Sequence, residues 1–595
     1  MKISPASRMK SVYFSLLIAT VLLIKIAPVS AANNLEKTSS TVPPQHPIFM
    51  PVIKAAPWID LRINEIEISQ TVQNMNNSVS LAANRPTVVR IYARSDQGST
   101  IRPVKVSLSG TKNGSPLAGS PLVLANGSAY PTGTGISTLR ADLSMSFNFQ
   151  LPASWLSGNV VLSAKVDPDH AIQDSNLANN TFNRTVTFGN VPALNLVVVP
   201  IEYTHIYNGV TYPPAPTSYV QPVMIALYPV PAVNVTVHAK GIFAGDLSQS
   251  SEWDRLLNQL TALRDSEAPP ASTAYFGIVP MEDSKGRTWF VGGVGGLGWL
   301  GGVYGGPRAA VGLANSPTHG INGGFIIAHE IGHTLGRLHA PCKVQPADPN
   351  FPYPGGVIGQ YGLYVSTMQL YNPTSPDIMT YCTNNYWISD YTYQGLYTDQ
   401  VNIAQVNTLQ AAQPVLYVRA RMMDNGTTEM EPGYAFQAIP SQQPTASDYT
   451  IQFMDASGQV IADYPVQVIR AEEPDVKAQA IHALLPKPGR PFTSIQLVNN
   501  GQVLAERSFA SSPEKLVEPS IIQSANQSIL QWSLPEIPAL VRYTSDNGQS
   551  WTTLGIDLLG GQLSLDPTSL PGTAVQIEVV LANRIAQWIL EVPGQ

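Results

Sequence analysis

The residues best suited to chemistry are three histidines that fall within eleven positions of a chain containing only nine histidines. They lie in the segment His-Glu-Ile-Gly-His-Thr-Leu-Gly-Arg-Leu-His, residues 329–339. On a helix, His329 and His333 share one face, so both imidazoles can bind the same metal ion. Gly336 can adopt a positive φ, end the helix and let the chain return with His339 as third ligand. The set predicts one catalytic Zn²⁺, because three histidines leave the fourth tetrahedral position open.

Glu330 directly follows the first histidine, where its carboxylate can hold a water at the open position. Zinc lowers the pKa of a bound water from 15.7 toward about 7 and polarises a scissile carbonyl. We therefore expect Glu330 to take a proton from the zinc-bound water as general base and to pass it to the leaving amine. The alternative is a helix whose histidines are incidental, and the ligand spacing disfavours it.

The sequence Asp-Ile-Met-Thr-Tyr-Cys begins at residue 377, so that its methionine, Met379, is forty residues after the third histidine. With this segment and the zinc motif, residues 323–382 resemble the metzincin clan of zinc metallopeptidases, which has a methionine turn after the long histidine motif. The resemblance implies that Met379 lies beneath the zinc as a hydrophobic floor. It also implies that Tyr381 lies near the metal, where its phenol could stabilise the oxyanion. The alternatives are that Met379 is an ordinary core residue and that Tyr381 only packs.

The two cysteines of the chain follow the two halves of this pattern. Cys342 lies three residues past His339, and Cys382 lies three residues past Met379. If both segments meet under one metal, the two thiols lie close together, and an exported chain with an even number of cysteines favours a disulfide. A free regulatory thiol and a zinc-binding cysteine are the minor alternatives.

The elements that position this site are expected within residues 191–413. A helical spacing of Trp253, Leu256, Leu257, Leu260 and Leu263 predicts a helix between Ser251 and Glu267. A second helix is predicted over Gly323–Leu338. The nine glycines in residues 291–306 are interpreted as a tight loop near a cleft. Metzincin substrates lie extended along an edge strand above the helix, and Ala309–Ala314 is the strand predicted for that role.

The flanking regions have the two-residue alternation of β-sandwiches. Residues 59–190 resemble CARDB-type immunoglobulin-like domains, on the stretch from Asp167 to Asn180 between two strands. There, Asp167, Asp169, Asp174 and Asn176 could bind Ca²⁺, and the alternative, which we favour, is a polar turn. Residues 414–515 predict another β-sandwich, and residues 516–595 are similar to a fibronectin type III-like sandwich. The predicted fold class is therefore multidomain, with an α+β metzincin-like catalytic domain flanked by all-β immunoglobulin/fibronectin-like sandwiches.

The beginning of the chain has the pattern of a signal peptide over residues 1–31. Lys2, Arg8 and Lys10 precede the apolar run Val12–Ile24, and small residues end near Ala31. The run falls short of the roughly 20 apolar residues of a spanning helix. We therefore expect a secreted or cell-surface protein without a membrane span in the mature chain. Residues 32–58 contain five prolines and predict a linker.

The composition supports a secreted or cell-surface location and argues against nucleic acid as a partner. Charged residues are only 12% of the 595 residues, and the net charge is −6, so there is no basic surplus for nucleic acid. The predicted function is a secreted zinc endopeptidase that hydrolyses extracellular proteins or glycoproteins, with sandwiches that could attach it to a cell surface or a polysaccharide. The alternative is a surface adhesin or carbohydrate-binding array whose peptidase domain is inactive.

Overall fold

The structure is a computed structural model, and it describes eleven ranges of the chain. These ranges are residues 2–3, 58–301, 306–382, 385–406, 411–423, 425–473, 476–509, 516–524, 527–565, 575–584 and 586–592. Lys2–Ile3 pairs antiparallel with Gly293–Val294. Apart from those two residues and Trp58, the predicted signal peptide and linker lie outside the described residues.

The first sandwich is a β-structure built on one hydrophobic core. Leu122–Pro131 pairs with both Val88–Ser95 and Ile101–Lys112 and so joins the two layers. The alternation predicted for Val160–Val166 is observed, because the odd-numbered neighbours face outward while Val160, Leu162, Ala164 and Val166 are fully buried. The other strands are Leu61–Ser69, Leu81–Ala82, Ser115–Pro116, Phe147–Gln150, Gly158–Val166 and Thr181–Gly189. The helical segments are α1 (Ile136–Arg140) and the short 3₁₀ turns Leu143–Met145, Ala153–Trp155 and Leu177–Asn179.

The central unit follows, with a mostly parallel sheet packed against helices. Leu194–His205 pairs in parallel with Val233–Val237, Gly241–Gly245 and Thr273–Val279. Thr273–Val279 continues in parallel to Ala309–Leu313. The sheet then ends on the short antiparallel strand Gly296–Gly298. The remaining strands are Thr211–Tyr212, Gly362–Tyr364 and Gln369–Tyr371. The helices are α2 (Val220–Leu227), α3 (Ser250–Glu267), α4 (Gly323–Thr334) and α5 (Asp390–Val406), with 3₁₀ turns at Pro317–His319 and Pro354–Gly356.

The prediction of an edge strand at Ala309–Ala314 is corrected by this topology. Ala309–Leu313 lies inside the sheet, between Thr273–Val279 and Gly296–Gly298, and all its residues are buried. The edge is formed instead by part of the glycine-rich run that was interpreted as a loop. The run of small apolar residues at 309–314 fits a strand with neighbours on both sides, because such strands face no water.

Two further sandwiches complete the chain. The second sandwich faces a five-stranded sheet against a four-stranded one, and the third faces a three-stranded sheet against a four-stranded one. The second contains Gln413–Met422, Thr428–Met430, Tyr434–Ala438, Ile469–Arg470, Gln479–Pro486, Tyr449–Met454, Val460–Pro465, Ser494–Asn499 and Gln502–Ser508. The third contains Ser520–Ser524, Gln527–Gln531, Gln562–Leu565, Ala539–Thr544, Thr552–Leu558, Val575–Leu581 and Gln587–Val592.

The units are packed onto one another rather than joined by loose connections. Val72 and Val79 of the first sandwich, and Ile469 and Val476 of the second, belong to the hydrophobic core of the central unit. The Trp387 indole N–H donates to the Thr71 carbonyl at 2.9 Å, which fixes the first sandwich against the central unit. Within the described ranges, no helix is both long and apolar enough to cross a membrane.

Candidate metal centre and substrate cleft

Helix α4 carries the histidine motif, and its two ends are set by local chemistry. The Asn322 side chain accepts the Phe325 N–H at 3.3 Å and caps the beginning of the helix. At the other end Gly336 has φ +73°. Its N–H donates to the His333 carbonyl at 2.9 Å, and the Arg337 N–H donates to the Gly332 carbonyl at 3.0 Å. This is a Schellman end, which requires a left-handed residue, so the chain turns back toward the helix as expected.

The three histidines converge through their Nε2 atoms. His333 Nε2 lies 3.1 Å from His329 Nε2 and 3.2 Å from His339 Nε2, and all three side chains are buried. A tetrahedral Zn²⁺ with Zn–N bonds of 2.0–2.1 Å would separate its nitrogens by about 3.3 Å. Among the described residues, these three histidines form the group of potential metal ligands: one ligand atom from each lies within 4.8 Å of the ligand atoms of the other two. The spacing therefore fits a zinc ion.

Hydrogen bonds on the far side of two imidazoles determine which nitrogen faces the centre. His329 Nδ1 lies 2.6 Å from the Ile378 carbonyl, and His333 Nδ1 lies 2.6 Å from the Arg337 carbonyl. A carbonyl only accepts, so each Nδ1 carries the hydrogen and each Nε2 presents a lone pair. Burial lowers the pKa of His329 well below its usual value and that of His333 to about 3. The imidazoles are held neutral, in the form that binds a metal.

Glu330 lies on the side of α4 that faces the edge strand Gly296–Gly298. A Cβ added to Gly296 would lie 2.6 Å from Glu330 Oε1, so only glycine leaves room for this carboxylate. A Cβ added to Gly298 would lie 2.6 Å from the Glu330 carbonyl oxygen, and one added to Gly301 would lie 2.3 Å from that of Thr334. Because these glycines have no side chains, α4 can approach the edge of the sheet until the two backbones are in contact. Burial raises the pKa of Glu330 to about 8, and the nearby Glu473 carboxylate adds to this.

The turn below α4 contains Met379, whose side chain is almost fully buried. A Cβ on Gly332 would lie 2.7 Å from Met379 Sδ, so the thioether packs directly against the helix between the histidines. Asp377 organises this turn by accepting the Met379 N–H at 2.8 Å and the Ser389 N–H at 2.7 Å. Sequence reasoning missed Asp377, although an aspartate two residues before the methionine is the spacing of an Asx turn.

The two cysteines form the predicted disulfide. Cys342 and Cys382 are bonded, with their Cα atoms 5.7 Å apart. The segments that carry them also pair through their backbones, since the Ala340 N–H donates to the Met379 carbonyl at 2.8 Å. The bond therefore joins the segment after the third histidine to the segment after the methionine turn.

Tyr381 lies beside the histidines, as the sequence led us to expect, but its hydroxyl is engaged. The ring centroid is 4.8 Å from that of His339 and 6.0 Å from that of His329. The hydroxyl donates to the carboxylate of Glu473, a residue of the second sandwich that is 5% exposed. Burial and this carboxylate raise the pKa of Tyr381. Sequence reasoning missed Glu473 because it lies 92 residues further along the chain, in another unit.

The acidic residues proposed as a calcium site have other partners. Asp167 accepts the N–H groups of Ala171 and Ile172, and Asp174 accepts that of Asn176. Asp169 instead pairs with Lys105. In the part of the chain that the structure describes, these four side chains are not gathered around one point. The geometry corresponds to the polar-turn interpretation.

Comparison with known protein families identifies part of the first sandwich. The family model of CARDB domains matches residues 95–184, so this part of the first sandwich is a CARDB domain, as predicted. No curated protein matches the sequence significantly.

Solved structures give only distant likenesses. The CARDB domain of a Pyrococcus furiosus protein, in complex with di-metal ions, is 16% identical over 22% of this chain and 90% of that one, with a TM-score of 0.15. A domain of a putative cell surface protein from Methanosarcina acetivorans is 16% identical over 22% and 93%, with a TM-score of 0.15. A β-glucuronidase from Parabacteroides merdae is 9% identical over 90% and 78%, with a TM-score of 0.15. TM-scores this low give no information about the activity of this chain.

Proposed function

We propose that the chain is a secreted zinc-dependent endopeptidase of metzincin type that acts on extracellular proteins or glycoproteins. The observation that carries the proposal is the convergence of three buried histidines, whose His333 Nε2 lies 3.1 Å from His329 Nε2 and 3.2 Å from His339 Nε2. The buried Glu330 follows the first of these histidines on the same helix. Three lone pairs at this separation repel one another unless a cation lies between them. An open site of three histidines is the catalytic kind rather than the closed structural kind.

Each residue has a distinct task in the proposed reaction. His329, His333 and His339 hold the ion, which when bound supplies Lewis-acid polarisation and lowers the pKa of water. Glu330 takes a proton from the attacking water and returns it to the leaving amine. Met379 packs against the helix at Gly332, between His329 and His333 in sequence. The Tyr381 hydroxyl, once it leaves Glu473, can donate to the oxygen of the carbonyl under attack.

The sheet edge supports binding of an extended peptide. Gly296–Gly298 is the antiparallel edge strand, and its backbone lies directly against Glu330. An extended chain can add a strand to the edge of a sheet through main-chain hydrogen bonds. The metzincin resemblance implies a substrate in this position, above the helix that carries the histidines.

The flanking units support a surface role for the enzyme. The first sandwich, which contains the CARDB domain, is packed on the central unit through the buried Trp387–Thr71 hydrogen bond. We propose that this domain attaches the peptidase to a cell surface or a polysaccharide. The same domain is the observation in favour of the second candidate, an adhesin whose peptidase domain is inactive.

Zinc analysis and digestion of a protein panel test the proposal and separate the two candidates. The full-length protein should bind one zinc and cleave proteins, and a chelator should abolish cleavage until zinc is restored. Glu330→Ala should keep its zinc and lose activity by several orders of magnitude, whereas His333→Ala should lose both. Glu252→Ala, on α3, is the matched control. A zinc-loaded wild-type protein that cleaves nothing would favour the adhesin.

A further inference from the structure

A short segment of the second sandwich crosses one end of the proposed cleft. We call residues 470–473 the end wall, and the structure describes all four of them. Ala471 forms an antiparallel bridge with Trp299, the residue that directly follows the edge strand. The Leu300 N–H donates to the Arg470 carbonyl at 2.7 Å. The end wall therefore begins at the sheet edge, where the edge strand ends.

This pairing occupies the outer side of the sheet edge. The Trp299 N–H points inward, to the Ala309 carbonyl of the neighbouring strand, at 3.2 Å. In antiparallel strands, the hydrogen-bonding groups of successive residues alternate between the two sides. The next N–H, that of Leu300, points outward and is bound by the end wall. At Leu300 an extended peptide therefore cannot pair with this edge.

The other end of the wall reaches the base of the candidate centre. Glu473 accepts the hydroxyl of Tyr381, and the two residues are 5% and 4% exposed. The ring of Tyr381 lies beside that of His339. Three residue steps of extended chain cover at most about 10 Å, so the wall joins the edge and the base by a short crossing.

The core of the central unit holds the end wall in place. Ile469, directly before the wall, is 3% exposed and belongs to the same hydrophobic core as α4. Ala471 packs against that core, and its N–H donates to the Ala478 carbonyl at 3.2 Å. On the facing strand, the buried Trp299 donates its indole N–H to the Thr261 hydroxyl of α3 at 2.7 Å. The wall is therefore a fixed boundary of the cleft.

The end wall lies a few residues from the proposed reacting bond. Glu330 marks the position of that bond on the edge strand, since a Cβ on Gly296 would lie 2.6 Å from its Oε1. The three residues Gly296–Gly298 form the edge strand before the wall begins. A peptide that pairs antiparallel with this strand has its N-terminal residues toward the wall. Lys2–Ile3 lies in this antiparallel orientation on Gly293–Val294, in the same glycine-rich run.

We propose that the end wall limits the cleft to three residues on the N-terminal side of the scissile bond, so that a longer substrate must turn away from the sheet edge there. This inference rests on the proposed function and adds a specificity to the same site. Each main-chain hydrogen bond gained along the edge should improve binding about 2- to 10-fold. A fourth residue meets the main chain of Arg470 and Ala471 and should add nothing. The substrates that fit are loops or flexible segments, which can bend at this point.

Two series of peptide hydroxamates test the proposal on the full-length, zinc-loaded protein. The hydroxamate binds the metal and so fixes the register of the peptide. The first series consists of acetylated alanine peptides of one to five residues with a C-terminal hydroxamate, and it extends on the N-terminal side. The control series carries the hydroxamate on the N-terminus through a malonyl group and extends on the other side. Calorimetry measures each Kd, with acetohydroxamate as the baseline.

A photoreactive probe locates the fourth residue of the bound peptide. Benzoylphenylalanine is placed fourth from the hydroxamate in each series, and peptide mapping after illumination identifies the labelled residues. The probe of the first series should label the end wall, residues 470–473. The probe of the control series should leave the end wall unlabelled.

The expected result is a Kd that falls through the third residue of the first series and then changes less than about 2-fold. A Kd that keeps falling at the fourth and fifth residues overturns the proposal, as does a stop found only in the control series or a crosslink outside the end wall. If the stop and the crosslink are found but no peptide is cleaved, the wall stands and the peptidase proposal fails. If no hydroxamate binds the zinc-loaded protein, both proposals fail.

Discussion

At the candidate metal centre, single hydrogen bonds decide which nitrogen of His329 and of His333 can bind an ion. The Nδ1–H groups of His329 and His333 donate to the Ile378 and Arg337 carbonyl oxygens, with Nδ1–O distances of 2.6 Å, and this turns both Nε2 lone pairs inward. Such outer partners orient the ligand and raise its basicity. The site is therefore prepared by the backbone of the segments that follow α4, and not by the histidine spacing alone.

Gly296 allows a residue-scale test of how Glu330 is placed. In Gly296→Ala the new Cβ would lie 2.6 Å from Glu330 Oε1 and 2.8 Å from its Cγ, so the carboxylate must shift. We expect kcat to fall at least 10-fold, because a displaced base no longer reaches the water, while zinc content is unchanged. Gly98→Ala is the control, since its Cβ would meet nothing within 4 Å. Full activity of Gly296→Ala would show that Glu330 tolerates displacement.

At the scale of elements, the turn after α4 brings the third histidine to the other two. With Gly336 left-handed, the Gly336 N–H donates to the His333 carbonyl and the Arg337 N–H donates to the Gly332 carbonyl. The chain then returns, so that His339 Nε2 lies 3.2 Å from His333 Nε2. Helix and turn together form the ligand set, whereas the helix alone provides two ligands.

Replacement of Gly336 should weaken metal binding through the backbone. A residue with a Cβ costs roughly 1–2 kcal/mol in the left-handed conformation, and asparagine tolerates it better than alanine. We therefore expect Gly336→Ala to bind zinc roughly 10-fold more weakly than wild type, and Gly336→Asn to lie between them. Competition with a zinc-selective dye measures the Kd. Equal affinities of the three proteins would contradict the importance of this turn.

The disulfide joins the same two segments and should stabilise them. Cys342 and Cys382 are 40 residues apart, and a loop of this length corresponds to about 4 kcal/mol in the chain-entropy treatment. The double variant Cys342→Ser/Cys382→Ser should lower the melting temperature of the central unit. Calorimetry with reduced wild type as the comparison tests this. Because neighbouring units share its core, we expect their transitions to shift as well. Unchanged transitions in the double variant would refute the expectation.

At the scale of the whole molecule, buried polar contacts fix the units relative to one another. Arg542 of the third sandwich is fully buried and pairs with Glu578. Its guanidinium also donates to the Ser266 carbonyl of α3 at 2.8 Å and lies 4.3 Å from the centre of the Phe436 ring in the second sandwich. One side chain therefore connects three units.

Removal of this guanidinium should be strongly destabilising. Arg542→Ala leaves the Glu578 carboxylate buried without its charge partner, which typically costs about 3–5 kcal/mol. Urea unfolding should show a lower midpoint, and the exposed Arg490→Ala is the control. If the Arg542→Ala midpoint equals that of the control, the ion pair does not hold the units together.

What the sequence by itself determined is the part of the site that depends on local geometry. The spacing of His329 and His333 on a helix, the turn at Gly336 and the alternation of the first sandwich follow from the periods of helices and strands and from the freedom of glycine. The pairing of the two cysteines was also predictable, because two segments that meet at one site bring the cysteines beside them close together. These inferences depend only on residues that are close in sequence, or on segments that meet at the same site.

The tertiary structure alone decided which strand forms the edge and what lies on it. The sequence of a strand such as Ala309–Leu313 does not indicate how many strands pair with it. A run of glycines has the sequence pattern of a loop, although here part of it forms the edge strand against which α4 packs. Glu473 and Tyr381 are 92 residues apart in sequence, and they meet only because their two units share one hydrophobic core. Such contacts depend on the summed burial of many side chains, and no local spacing in the sequence encodes that sum.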